Sequence, residues 1–198
     1  MKVTKFTHAC VRVEHEGRRL VIDPGTWTEP SALDGADAVL VTHEHGDHAD
    51  VLRLLGAGVR VYAPGGAELG RLPYTPVSAG EELSVAGFHV RACGGRHAPV
   101  YDGLPDCANI GYLVEHALYH PGDSLHVPQE PVETLLVPLQ ASWLKTAEVI
   151  DFVRAVRARR AYGIHDAQVN ERGLASVNGW LAQETGPGYR WLPPGGTL

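Results

Sequence analysis

His43, His45, Asp47 and His48 fall within six residues of one another in THEHGDHAD, directly after the apolar run ADAVLV. Imidazoles and a carboxylate crowded at the end of a strand form a donor set for divalent cations, since tetrahedral zinc takes nitrogen at about 2.0–2.1 Å and carboxylate oxygen at a similar range. Residues i and i+2 of an extended chain point the same way. The spacing therefore predicts that His43 and His45 serve one ion, while Gly46 turns the chain and aims Asp47 and His48 elsewhere. A helical HExxH zinc motif does not fit, because Asp47 stands where its second histidine is needed. Four further residues carry similar chemistry at the ends of apolar runs: Asp23 in LVIDPG, His97 in GGRHAP, Asp123 in YHPGDS and His165 in YGIHD. Taken singly, each is an ordinary polar residue at a strand end.

Taken in order, they form a pattern. HxHxDH after an apolar strand, with Asp23 before it and His97, Asp123 and His165 after it, resembles the signature of the metallo-β-lactamase superfamily over residues 1 to 166. The resemblance implies that His43, His45 and His97 hold one metal, that Asp47, His48 and His165 hold another, and that Asp123 lies between them. It makes Asp23 a support for the metal loop. The segments FTHAC, NIGYLVEHALYHPGDS and GIH are most similar to the ascorbate-phosphate lactonase and N-acyl-phosphatidylethanolamine phospholipase D-like branch, in which a histidine follows the first strand. That similarity marks His8 as a catalytic or substrate-facing candidate. The implied fold is α+β, a four-layer αββα sandwich of two mixed sheets with outer helices and the metal cluster on loops at one edge.

Two ions about 3.5–4 Å apart can lower a bound water's pKa from 15.7 to around 7 and so hold a bridging hydroxide at neutral pH. The expected activity is hydrolysis of an ester, lactone, amide or phosphodiester bond in a small metabolite. Asp47 would serve as proton acceptor, Asp123 as bridge, and no separate serine or cysteine nucleophile is needed. Zinc is the first expectation from imidazole and carboxylate donors, although Mn2+, Fe2+ and Ni2+ accept the same set. Two other functions remain open: an iron-dependent oxidoreductase of the same fold, and a non-catalytic metal-stabilised binding module.

Outside the ligand set, His120 precedes the Gly122-Asp123 turn and reads as support for that loop. Trp27, Tyr101 and Trp143 fall on loops after strands and are candidate substrate contacts. Lys145 and Arg96 are candidates for meeting an anionic group. His15, His89, His116 and His126 sit in hairpin-like segments and read as solvated or structural.

The elements that must position these residues are mostly short strands. KFTHACVRVE alternates weakly as one strand, and RRLVI, ADAVLVT and VRVYAP are apolar runs. ELSVAGFHVRAC and IGYLVEHALYH each read as two strands around a turn, at Ala86-Gly87 and Glu115-His116; ETLLVPL and RAYGI follow. A short helix is expected over Ala49–Leu55, stopped by Gly56–Gly58. A second over KTAEVIDFVRAVRARR has Thr146 as N-cap and Ile150, Val153 and Val156 on its apolar face, and ERGLASVNGWLAQET reads as a third.

At 198 residues without repeat or linker, the chain is expected to form a single domain over 1–198. Its formal net charge of −6 gives no general attraction to nucleic acid, and no apolar run is long enough for a membrane span. The partner expected is a small-molecule substrate, with a homo-oligomer possible. The opening lacks the apolar core of a signal peptide, so a cytoplasmic location is expected. Cys10, Cys93 and Cys107 form no CxxC and are expected as reduced thiols.

Overall fold

The computed structural model describes residues 1–198. One sheet holds β1 (Lys2–Lys5), β2 (Val11–His15), β3 (Arg18–Ile22), β4 (Ala38–Leu40), β5 (Arg60–Pro64) and β6 (Thr75–Val77), side by side in that order. Its first three strands are antiparallel and the rest join in parallel. The other sheet holds β7 (Glu82–Val85), β8 (Phe88–Gly94), β9 (Ile110–Val114), β10 (Leu118–His120), β11 (Thr134–Pro138), β12 (Arg160–Ile164) and β13 (Tyr189–Arg190). Here β7 to β10 are antiparallel and β10 to β13 parallel. Both sheets are therefore mixed.

Period-two alternation sorts the apolar side chains into layers. Leu20 and Ile22 of β3 pack between the sheets with Val90 of β8, Tyr112 of β9 and Leu136 of β11. Val21 and Val39 face outward, toward Leu54 of α1 (Val51–Ala57). On the far side, Leu135 and Val137 face outward toward Val149 and Phe152 of α2 (Thr146–Val156) and Leu181 of α3 (Glu171–Thr185). The result is an αββα sandwich of the α+β class. Its two sheets are tied at one edge, where Ile110 N–H donates to Thr42 O at 2.8 Å and Tyr112 Oη donates to Val41 O at 3.0 Å.

Several local expectations change. KFTHACVRVE is not one strand: residues 6–10 break it into β1 and β2, with His8 in the left-handed region at φ 67°. The metal loop is a run of bends and turns from Thr42 to His48 rather than an extended segment. Helix α1 runs past Gly56 and ends on Gly58 at φ 60°, with Asp50 accepting from Arg53 N–H at 3.0 Å at its start. The cap of α2 is Lys145 rather than Thr146, because the Glu148 side chain accepts from Lys145 N–H. The buried centre of α2 is Val149 and Phe152, flanked by the Ile150, Val153 and Val156 face.

Candidate metal centre

Five loops at the tied edge deliver the ionisable residues. Asp23 follows β3, the His43–His48 loop follows β4, His97 follows β8, Asp123 follows β10 and His165 follows β12. The β4 loop is folded tightly against the β3 loop at Gly25, where an added Cβ would lie 1.8 Å from Asp47 O. Only glycine allows that approach.

Four imidazoles have Nδ1 engaged by the protein and Nε2 facing the centre. His43 Nδ1 lies 3.0 Å from Thr42 Oγ1, His48 Nδ1 is 2.7 Å from Asp23 Oδ2, and His97 Nδ1 donates to Ala98 O at 2.6 Å. His165 Nδ1 donates to Gln140 O. This is how metal-binding histidines are oriented: one ring nitrogen is fixed so the other can ligate. Asp23, fully buried, also accepts from Thr42 N–H and Oγ1, both at 2.7 Å, so one carboxylate aligns the loop and His48 together.

The Nε2 atoms of His43, His48, His97 and His165 and Oδ1 of Asp123 are buried without a hydrogen-bond partner. Donor atoms of His43, His45 and His97 lie within 4.8 Å of one another, as do those of His43, His48 and Asp123, and those of His8, Asp47, His48 and His165. Asp123 spans these groups: Oδ1 is 3.1 Å from both His48 Nε2 and His165 Nε2, and Oδ2 is 3.4 Å from His97 Nε2. Buried polar atoms are rarely left unpaired, and a convergent set of nitrogens and carboxylate oxygens fits divalent cations.

Electrostatics follow from the same crowding. Burial holds His43 well below its ordinary pKa; burial and then the neighbouring His97 lower His45. Burial opposes ionisation of Asp123, but the charges of His48 and His165 outweigh it and hold the carboxyl well below its usual range. Asp47 is lowered to about 2: burial works against this and is overcome by the bond from His8 and the charges of His48 and His165. His48 moves up despite complete burial, because Asp123 and Asp23 both favour its charged form.

His8 joins the centre from the broken first strand. Its Nδ1 accepts from Ala167 N–H at 3.3 Å, so Nε2 carries the proton and donates to Asp47 Oδ2 at 3.2 Å. Burial lowers its pKa to about 4, with the Asp47 bond opposing, which leaves the ring neutral at pH 7. That tautomer makes His8 a hydrogen-bond donor rather than a ligand.

His120 donates from Nε2 to Ala9 O at 2.8 Å and accepts Gly122 N–H on Nδ1 at 3.1 Å, holding the Asp123 turn. Trp143 lies closer in than its place among substrate contacts implied, with Nε1 donating to Asp123 Oδ2 at 2.9 Å. Trp27 sets its ring edge against His8 at 4.7 Å, and Tyr101 projects from the loop after His97 with 80 % of its surface exposed. The structure does not bring Lys145 or Arg96 into the cluster: Lys145 begins α2 without an ion pair, and Arg96 pairs with Asp106 at the surface. His15, His116 and His126 are exposed and His89 half-buried, stacked on His116. All three cysteines are free thiols, with Cys107 Sγ 4.0 Å from His45 Nε2.

Sequence reasoning missed Thr42, Asn109 and Gln140. Asn109 is fully buried, accepts Asp123 N–H on Oδ1 at 3.0 Å and donates to Pro121 O at 2.9 Å. An asparagine before an apolar run carries no signal of that role. Gln140 acts through its backbone carbonyl, which no side-chain pattern reveals.

Residues 2–165 match the model of the β-lactamase superfamily domain. A Mycobacterium tuberculosis protein, Rv0786c, is 38% identical, with 98% of this chain and 97% of that protein covered. A UPF0173 metal-dependent hydrolase of Carboxydothermus hydrogenoformans is 29% identical over 79% of each. Among solved structures, Igni18, a metallo hydrolase from Ignicoccus hospitalis, superposes with a TM-score of 0.76 at 17% identity, covering 100% of this chain and 97% of that one. At that identity the likeness establishes the fold.

Proposed function

Since this chain belongs to the β-lactamase superfamily domain family, the metallo-β-lactamase superfamily that its motifs resemble, we propose that it is a metal-dependent hydrolase opening an ester, lactone, amide or phosphodiester bond of a small metabolite. The observation that carries this reading is the convergence of His48 Nε2 and His165 Nε2 on Asp123 Oδ1, each at 3.1 Å, and of His97 Nε2 on its Oδ2 at 3.4 Å, with the donor atoms of His43, His45 and His97 grouped beside them. The relative named as a metal-dependent hydrolase supports it. We assign His43, His45 and His97 to one ion, Asp47, His48 and His165 to a second, and Asp123 to both, with zinc the preferred metal. When bound, the ions supply an ionised water at neutral pH and a Lewis acid for the scissile oxygen.

The chain's own residues orient and move protons around that chemistry. Asp123 is held on one side by Asn109, which fixes its backbone, and on the other by Trp143, which fixes Oδ2. Asp47, ionised at neutral pH, is the proton acceptor, and the His8 Nε2–H sets the direction of its Oδ2. Trp27 forms a wall beside His8 for the organic part of the substrate. No helix is long and apolar enough to cross a membrane, and we place a small-molecule enzyme of this kind in the cytoplasm.

Metal analysis together with a panel of lactones, thioesters and phosphodiesters tests the reading. Metal-loaded protein is expected to carry two colourless zinc equivalents and cleave at least one class. Chelation and Asp123→Ala should each lower turnover by about a hundredfold or more. Full activity in metal-free Asp123→Ala protein ends the proposal, and a coloured iron centre redirects it to redox chemistry.

A further inference from the structure

Lys5 and Asp166 form an ion pair that no step above uses. They are 1% and 8% exposed, and Lys5 Nζ lies 2.8 Å from Asp166 Oδ2. Lys5 Nζ also donates to Phe6 O at 3.1 Å, and Trp191 Nε1 donates to the same Oδ2 at 2.7 Å. A buried pair is poor evidence of stability in itself, because desolvating two charges offsets their attraction and well-packed apolar residues often serve as well. Its position is therefore the informative fact.

The pair sits where the two sheets exchange their site-bearing loops. Lys5 ends β1, three residues before His8; Asp166 directly follows His165 beyond β12. Both histidines have left-handed backbone, at φ 67° and 57°, a conformation that non-glycine residues hold only when their surroundings enforce it. The loops are stitched together there. His165 N–H donates to His8 O at 2.9 Å, and Ala167 N–H donates to His8 Nδ1 at 3.3 Å. Trp191 brings in the C-terminal segment, which pairs with the same end of β1 through Lys5 N–H to Gly196 O at 2.9 Å and Gly195 N–H to Lys5 O at 2.7 Å.

We propose that the buried Lys5–Asp166–Trp191 contact is a positioning device for the second metal position, holding the His8 and His165 loops in register so that both imidazoles face it. The three residues touch neither substrate nor ion. They act through the backbone that carries His165 and through the Ala167 N–H that fixes the His8 tautomer. The inference rests on the two-ion assignment only for its metal readout.

The test replaces all three polar side chains at once, Lys5→Met/Asp166→Leu/Trp191→Phe, so that neither charge is left buried without the other. It reads cobalt titrations, imidazole nitrogen resonances and the thermal midpoint of metal-free protein. The variant is expected to fold, to bind the first cobalt within about twofold of wild type and the second at least about tenfold more weakly, the usual scale for residues that orient ligands. His8 Nδ1 should lose its acceptor signature, and the His43, His45 and His97 resonances should stay in place. The proposal is overturned if the second ion binds as in wild type with His8 and His165 unmoved, or if both ions weaken together in step with the thermal midpoint. Should the triple variant fail to fold, Trp191→Phe, which keeps the ion pair, must still shift His165 and His8 selectively. If wild-type protein takes fewer than two ions, the two-ion assignment fails by itself, and the imidazole resonances still decide this proposal.

Discussion

At His48, in the role we assign it, two demands meet: the ring would face a cation through Nε2, and it must hold that pose without help from solvent, since it is fully buried. Asp23 supplies the second demand by accepting from His48 Nδ1 while also gripping Thr42 through two bonds. Asp23→Asn keeps the shape but presents an amide where one acceptor oxygen is needed. It is expected to weaken zinc binding about 10–100-fold and to cost about 1–3 kcal/mol of stability. A chelator competition and a denaturant titration measure the two effects; unchanged zinc affinity would show that the carboxylate does not set the ligand. The family motif made Asp23 legible as a support. Its grip on Thr42 was not, because a threonine next to a histidine has no distinguishing pattern.

Between elements, function depends on how closely two loops approach. Gly25 and Gly46 lie on either side of that approach, and they are not equivalent. A Cβ on Gly25 would strike Asp47 O, whereas one on Gly46 would meet only Thr26 Cγ2 at 3.9 Å. Gly25→Ala should therefore destabilise the protein by about 1–3 kcal/mol, as overpacking does, and reduce metal binding through the displaced Asp47. Gly46→Ala should stay within about 0.5 kcal/mol of wild type. Equal effects in urea unfolding would contradict the geometry. The same scale explains which elements could be read from sequence. RRLVI, ELSV and IGYLV are runs whose alternation or continuous apolarity needs no context, and they are strands. The break at residues 6–10 was hidden because Phe6, Ala9 and Cys10 are as apolar as strand residues, although they pack on the outer face of their sheet or close the loop. β6 and β13, of 3 and 2 residues, exist only through the ladder of a neighbour. Lys5 and Asp166 were invisible for a different reason: a charged residue reads as solvated until its distant partner is known.

Over the whole molecule, the candidate centre draws on both sheets, so a cation bound there would tie together what packing alone must otherwise hold. A ligand that binds only the folded form adds about 2.7 kcal/mol at a free concentration a hundred times its dissociation constant. For a chain of this size that corresponds to a rise of roughly 5–10 °C in thermal midpoint. Calorimetry with and without zinc checks this, and an unchanged midpoint would mean that the loops are not joined through the metal. The seven assigned donors run from residue 43 to residue 165, and the set assigned to the second ion is incomplete until β12 has docked beside β11 and carried its histidine across to the other sheet. Capture of that second ion is accordingly expected at the close of folding. A nascent or partly unfolded chain would offer only the HxHxDH stretch, a loose chelator, and the full assigned donor set would be assembled only in the finished enzyme.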